Sequence, residues 1–309
     1  MARRFLSGRG DEKLNILHLG PPLISSRWAE LLKTNHVRHW VVAGPRYLDP
    51  SRSAQLVLQA DLKDAVEALL EQSEQIIFTQ ASHGGGTLSD ENSGAENVNA
   101  ALNQLERHTP SARMAEPWAV LSVLNAAHAA EQFLLGNSLS VRLAAWVKDA
   151  AVSKTRAFFT SRGANGIDGL IAQGAGLARA WGRSTVVLLG DVAAAHDLSS
   201  LALVRHSVSP LVVVVLENQG GMIFQHLPGA TKWDTIPEAR DFFITPPAID
   251  WRAAGQTYGI PVWDCARLDE LSAALEITCQ RAGPSLVIAR TDSATTRSFL
   301  RQLHGETSA

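Results

Sequence analysis

Two uninterrupted apolar runs, "TVVLLG" (185–190) and "LVVVVL" (211–216), constrain the fold of this chain more than any other feature. Strands with one solvated face alternate polar and apolar residues, whereas unbroken Val/Leu runs belong to strands covered on both faces of a parallel sheet. The first run ends at Gly190 and Asp191, the second at "ENQGG" (217–221). Asp191 and Asn218 are 27 positions apart, room for one crossover helix and one strand, so the runs read as consecutive parallel strands. Their C-terminal ends then share one edge, where α/β sheets bind ligands. A carboxylate and a side-chain carbonyl meeting there form a hard oxygen set suited to Mg²⁺, which completes its octahedron with water and phosphate oxygens. Gly220 allows close backbone approach, and its carbonyl is a candidate third ligand. Alone, a Gly-Asp pair more often marks a helix cap. The pair, the spacing and Asn-x-Gly-Gly together point to a metal clamp for a phosphorylated cofactor.

Short apolar runs recur along the chain. From Phe133 onward "FLLG", "RAFFT", "IPVWD" and "PSLVIAR" join the two above, separated by segments with helical spacing. That alternation predicts a doubly wound α/β fold with a mostly parallel sheet. Upstream, "LNILHLG" (14–20), "HWVVAG" (39–44) and "AQLVLQA" (54–60) read as strands, with helices at "SRWAELLKT" and "LKDAVEALLEQ". This α/β segment of about sixty residues is below the usual size of an independent domain, so residues 1–81 read as part of one. The Gly/Ser/Asn-rich tract "SHGGGTLSDENSGAENVN" (82–99) predicts a surface linker, taken to run to residue 114. "AEPWAVLSVLNAAHAAEQ" (115–132) predicts a helix that opens the second domain, 115–309.

Composition removes several function classes. A formal net charge of −2 with scattered arginines provides no basic field for nucleic acid. Cys265 and Cys279 are the only cysteines, too few for a disulfide framework, and imply a reducing compartment. The basic start "MARRFLSGRG" meets Asp11 and Glu12 before any apolar stretch, so it does not read as a secretory signal. No apolar run approaches the ~20 residues of a membrane span. "HGGG" (83–86) has no Gly-x-Ser-x-Gly partner, and "GANGIDG" does not form the dinucleotide fingerprint. His196 reads as a helix N-terminal residue rather than a ligand.

The Gly-Asp and Asn-x-Gly-Gly pair resembles the motif of thiamine-diphosphate enzymes, usually Gly-Asp-Gly followed by Asn-Asn, with Val192 and Glu217 as departures. "SRGANGIDGLIAQGAGLARA" and "GDVAAAHDLSSLALVRHSVSPLVVVVLENQGGMIFQHLP" resemble the 2-succinyl-5-enolpyruvyl-6-hydroxy-3-cyclohexene-1-carboxylate synthases of menaquinone and phylloquinone biosynthesis. "GNSLSVR" (136–142) and "RYLDP" (46–50) do so too. The resemblance implies a sheet domain of the thiamine-diphosphate-binding type preceded by a partial central α/β domain. It assigns the metal, Mg²⁺ or Mn²⁺, to Asp191, Asn218 and the Gly220 backbone. It assigns the cofactor to Ser138, Ile167, Gly190, Asp191, Val192, Asn218, Gly220 and Ile223, with Ile167 wedging thiamine diphosphate into its bent shape. Substrate contacts fall to Arg27, Arg142, Arg162, Phe224 and Leu227, the arginines suiting carboxylates through bidentate pairing. Ser26-Arg27 stands where many members carry Lys-Arg.

The implied reaction decarboxylates 2-oxoglutarate and adds the resulting carbanion to isochorismate. The glutamate that activates the cofactor belongs, in the family, to an N-terminal pyrimidine-binding domain that has no counterpart here, so no catalytic residue is assigned in this chain. The resemblance therefore implies one wall of an active site completed by a homo-oligomer or a complementary pyrimidine-domain chain, in a bacterial cytoplasm or a plastid stroma. The rival expectation is a catalytically silent remnant or regulatory subunit that binds thiamine diphosphate.

Overall fold

The computed structural model describes residues 14–19, 26–34, 37–44, 52–73, 91–105, 113–125, 130–137, 139–148, 151, 157–161, 166–226, 236, 238, 240–292 and 294–303. The chain divides into two compact units after Gly86.

The first unit holds a three-stranded parallel sheet of β1 (Leu14–Leu19), β2 (Val37–Ala43) and β3 (Leu56–Gln59), in that order. Helices Ser26–Leu32 and Leu62–Ser73 follow β1 and β3, as the sequence spacing predicts. Val41, Val42 and Ala43 are buried, whereas Leu56 and Leu58 of β3 are 60% and 51% exposed. Near β2, His39 lies 3.4 Å from His18 and 3.1 Å from Ser53, with Trp28 edge-on to both rings.

The second unit is built on seven strands: β4 (Met114–Ala115), β5 (Gln132–Leu135), β6 (Ala157–Thr160), β7 (Thr185–Gly190), β8 (Leu211–Glu217), β9 (Val262–Cys265) and β10 (Pro284–Asp292). Their order is β4-β10-β8-β7-β5-β6, with β9 also on β10, and every pairing is parallel. The unbroken apolar runs follow from two covered faces. Val186 and Leu188 of β7, with Val212, Val214 and Leu216 of β8, enter one core. Val187 and Leu189, with Leu211, Val213 and Val215, enter the other. The two-residue side-chain period thus persists although neither face is polar. Each such side chain contributes about 1.5–3 kcal/mol through burial.

The connectivity also locates the ligand edge. From β5 the chain moves outward to β6, then returns to pair β7 on the other side of β5 before continuing to β8 and β10. The switch point lies between β5 and β7, which end at Leu135 and Gly190, with Gly136 directly after β5. A Cβ on Gly136 would stand 2.8 Å from Leu189 Cβ, so only glycine lets the backbone leave β5 here. Crevices at such points bind ligands in open α/β sheets.

The expected linker 82–114 requires correction. Residues Glu91–Asn103 form a helix, and Val98, Ala101 and Leu102 are at most 4% exposed within the core. The helix packs against Ala294–Leu303. Its Asn, Ser and Gly content suggests a loop, but three apolar residues at i, i+3 and i+4 make a stripe sufficient for docking. The second unit therefore begins well before residue 115. The helix expected over 115–132 occupies Glu116–Asn125, and Gln132 already belongs to β5.

Leu102 is 1% exposed, so Leu102→Ala should lower stability by about 2–5 kcal/mol. Denaturant unfolding of the variant tests this. A loss within about 0.5 kcal/mol, the range of ordinary surface substitutions, would return the segment to a linker.

Candidate functional site

Asp191 opens the short helix Asp191–His196 directly after β7, and Asn218 follows β8 directly. Parallel pairing of these strands, with Gly190 opposite Leu216, carries both side chains to the same edge. Asp191 is 1% exposed. Its Oδ1 accepts the Val192 N–H at 2.7 Å and its Oδ2 the Gly220 N–H at 2.9 Å. Burial pushes its pKa up to about 6 despite these donors, and the nearby Glu217 charge acts in the same direction as burial. Among the described residues no Lys or Arg forms an ion pair with Asp191.

Asn218 donates from Nδ2 to Glu116 Oε1 at 2.8 Å. Its Oδ1 is buried and has no hydrogen-bond partner among the described residues. An unmet carbonyl oxygen beside an unneutralised carboxylate is the donor chemistry of a hard cation site. Gln219 and Gly220 take φ values of 67° and 132°, and a Cβ on Gly220 would lie 2.3 Å from the Ile244 carbonyl oxygen. Glycine is therefore required for the turn that presents the Gly220 N–H to Asp191. The Gly220 carbonyl accepts the Met222 N–H at 2.8 Å, which leaves one of its two lone pairs for a ligand. Among the described residues no three His, Cys, Asp or Glu side chains converge on a metal site; the oxygen set here is mixed.

A cavity of about 120 Å³ opens on this edge. Ile167, Gly190, Asp191, Val192, Asn218 and Gly220 line it, and Ile223 and Phe224 contribute a further wall. The loop carrying Ile167 leads into helix Leu170–Trp181, whose first N–H groups are held by Asp197 Oδ2, at 2.7 Å from Ile171 N and 3.1 Å from Ala172 N. Eight residues assigned from the resemblance thus converge. Arg142, on helix Leu139–Val147, is half-buried and is not among the lining residues. Ser138, Arg162 and Leu227 lie outside the described residues, and Arg27 sits on a helix of the first unit with its side chain outside the description. His196 ends its helix rather than opening one.

Sequence reasoning missed Glu116. It begins helix Glu116–Asn125 and is 1% exposed; its Oε2 accepts from Thr296 Oγ1 at 2.7 Å. Burial raises its pKa to about 7, with Thr296 and Asn218 opposing and the charges of Asp191 and Asp292 reinforcing the shift. An acid in the first turn of an apolar helix reads as a dipole partner, and only tertiary packing brings it to a residue 102 positions away. Glu217, a departure from the motif, is absorbed structurally: Arg113 and Arg290 hold it at 2.9 and 3.0 Å. Arg113 also donates to the Glu217 and Thr291 carbonyls, tying β8 to β10.

Residues 142–289 match the family described as thiamine pyrophosphate enzyme, C-terminal TPP binding domain. A 2-succinyl-5-enolpyruvyl-6-hydroxy-3-cyclohexene-1-carboxylate synthase of Halorhodospira halophila is 32% identical over 274 residues, covering 88% of this chain and 46% of the relative. The synthase of Chlorobaculum tepidum is 30% identical over 247 residues, 79% of this chain and 40% of the relative. That of Shewanella amazonensis is 39% identical over 170 residues, 54% of this chain and 29% of the relative. The chain spans less than half the length of these relatives. Residues 142–289 thus match the C-terminal TPP binding domain of thiamine pyrophosphate enzymes, and most of the chain is similar to the 2-succinyl-5-enolpyruvyl-6-hydroxy-3-cyclohexene-1-carboxylate synthases.

Proposed function

We propose that this chain forms the diphosphate- and Mg²⁺-binding wall of a synthase that decarboxylates 2-oxoglutarate and joins the remaining four-carbon unit to isochorismate in menaquinone or phylloquinone biosynthesis. The observation that carries this reading is that Asp191 and Asn218, whose Oδ1 is buried without a partner among the described residues, line one cavity at a shared sheet edge. These two oxygens and the Gly220 carbonyl would hold Mg²⁺, with Mn²⁺ as a substitute of similar oxygen preference. When bound, thiamine diphosphate supplies the electron sink for decarboxylation. The chain's own part is positional and electrostatic: Asp191 and Asn218 fix the cation, Ile167 shapes the cofactor pocket, and Ile223 with Phe224 excludes water. Arg27, Arg142 and Arg162 are the cations proposed for substrate carboxylates, with Leu227 alongside.

The pyrimidine-binding side, with its activating glutamate, is proposed to come from polypeptide outside these 309 residues. The matched stretch, which covers under half of each relative, supports this reading.

Mixing the chain with a pyrimidine-binding domain from one of the relatives, 2-oxoglutarate, isochorismate, Mg²⁺ and thiamine diphosphate should give turnover. Asp191→Ala in the same mixture should lower it by about 10²-fold or more. Turnover by the chain alone would overturn the two-wall reading. Cofactor binding without turnover in any pairing would favour a regulatory subunit.

The raised pKa of Asp191 has its own signature. A carboxyl that holds its proton more tightly in the folded chain contributes stability that is complete below the unfolded value, near 3.8, and lost as pH rises through about 6. Asp191→Asn removes that titration. Without divalent cation, the signed wild-type minus variant difference in melting temperature should therefore fall, becoming more negative, between about pH 4.5 and 7.5. A signed difference that stays flat or rises would contradict the burial of this acid.

A further inference from the structure

We propose that Glu116 is a positioning residue that sets which end of the Asn218 amide faces the cavity. An asparagine side chain has an oxygen and an NH₂ end of nearly equal shape, and the end of β8 does not by itself select between them. In the structure both Glu116 carboxyl oxygens act as acceptors, Oε1 from Asn218 Nδ2 and Oε2 from Thr296 Oγ1. Because Glu116 Oε1 lies 2.8 Å from Asn218 Nδ2, the NH₂ is turned toward Glu116, and Oδ1, the other end, is buried without a partner among the described residues; Asn218 itself lines the cavity.

Glu116 is itself held from a third element. Its backbone N–H donates to Thr295 Oγ1 at 3.1 Å, and its Oε2 accepts from Thr296 Oγ1 at 2.7 Å. β4, immediately before it, pairs with β10 at Thr291 and Asp292. The start of the C-terminal helix Ala294–Leu303 therefore fixes Glu116, which fixes Asn218. A buried acid of 1% exposure is a costly way to fill space, since an apolar residue of similar volume avoids its desolvation penalty. Its retention is explained if the acceptor itself is needed. This inference rests on the cation site proposed above.

The test is calorimetry of Mg²⁺-dependent thiamine diphosphate binding to the full chain, with melting curves alongside. Glu116→Leu frees the amide to turn its NH₂ toward the cation and should weaken Mg²⁺-dependent binding by about tenfold or more. Glu116→Gln keeps an oxygen for Asn218 Nδ2 but can also turn its own NH₂ toward Asn218, so it should lose clearly less affinity than Glu116→Leu. Asn218→Asp has no NH₂ to misplace, so adding it to Glu116→Leu should restore most of the affinity. A purely structural Glu116 would instead lower the melting temperature equally with and without Mg²⁺ and show no such rescue.

If Glu116→Leu does not fold, a second pair decides. Asn218→Asp alone sets two carboxylates against each other and should bind weakly, and Glu116→Gln added to it should recover binding. Unchanged affinity in Glu116→Leu, or no recovery in either double variant, would overturn the positioning role. A wild-type chain with no Mg²⁺-dependent binding would overturn the cation site and this inference with it. Wild-type binding with an indifferent Glu116 would overturn this inference alone.

Discussion

The parallel pairing of β7 with β8 is the constraint on which the rest of the site depends. Its register, Thr185 opposite Leu211 through Gly190 opposite Leu216, ends both strands at one level, so Asp191 and Asn218 emerge together. That register is held by apolar side chains facing two separate cores. A one-residue slip would exchange the faces of a whole strand. Bulky Val and Leu packing on both sides therefore fixes the geometry of polar groups that contribute no packing themselves.

Charge at this edge is uneven. Glu217 is neutralised by Arg113 and Arg290, and Arg290 also pairs with Asp264, whose pKa is held down by that guanidinium. Asp191 and Glu116 have no such cation among the described residues, and burial drives both pKa values up. Buried acids without counter-charge are unfavourable in an isolated chain and become favourable once a divalent ion supplies the charge. The arrangement also separates roles among neighbours: Glu217 faces the arginines and ties strands together, whereas the next residue, Asn218, meets the cavity.

Much of this was legible in the sequence because it depended on strands. The runs at 185–190 and 211–216 identify both their burial and their common edge, and the 27-residue spacing places Asp191 beside Asn218 without any coordinates. Elements whose role depends on a distant partner were not legible. Helix Glu91–Asn103 has only a three-residue apolar stripe amid Asn, Ser and Gly, and its docking surface is the C-terminal helix. Glu116 reads as an ordinary first-turn acid until packing sets it against Asn218 and Thr296. Arg142 was assigned to substrate from its motif, yet the cavity is lined by other residues.

The proposed cation site on the Asp191–Asn218 edge takes a divalent ion through the oxygens of these two side chains. It is tested most directly by crystals of the chain grown with Mn²⁺ and thiamine diphosphate and measured at an anomalous-scattering wavelength. One strong peak is expected, with oxygen distances of about 2.0–2.3 Å, in the range for octahedral divalent ions, to Asn218 Oδ1 and the Asp191 carboxylate. A peak bound elsewhere, or an Asn218 amide whose nitrogen faces the ion, would contradict it.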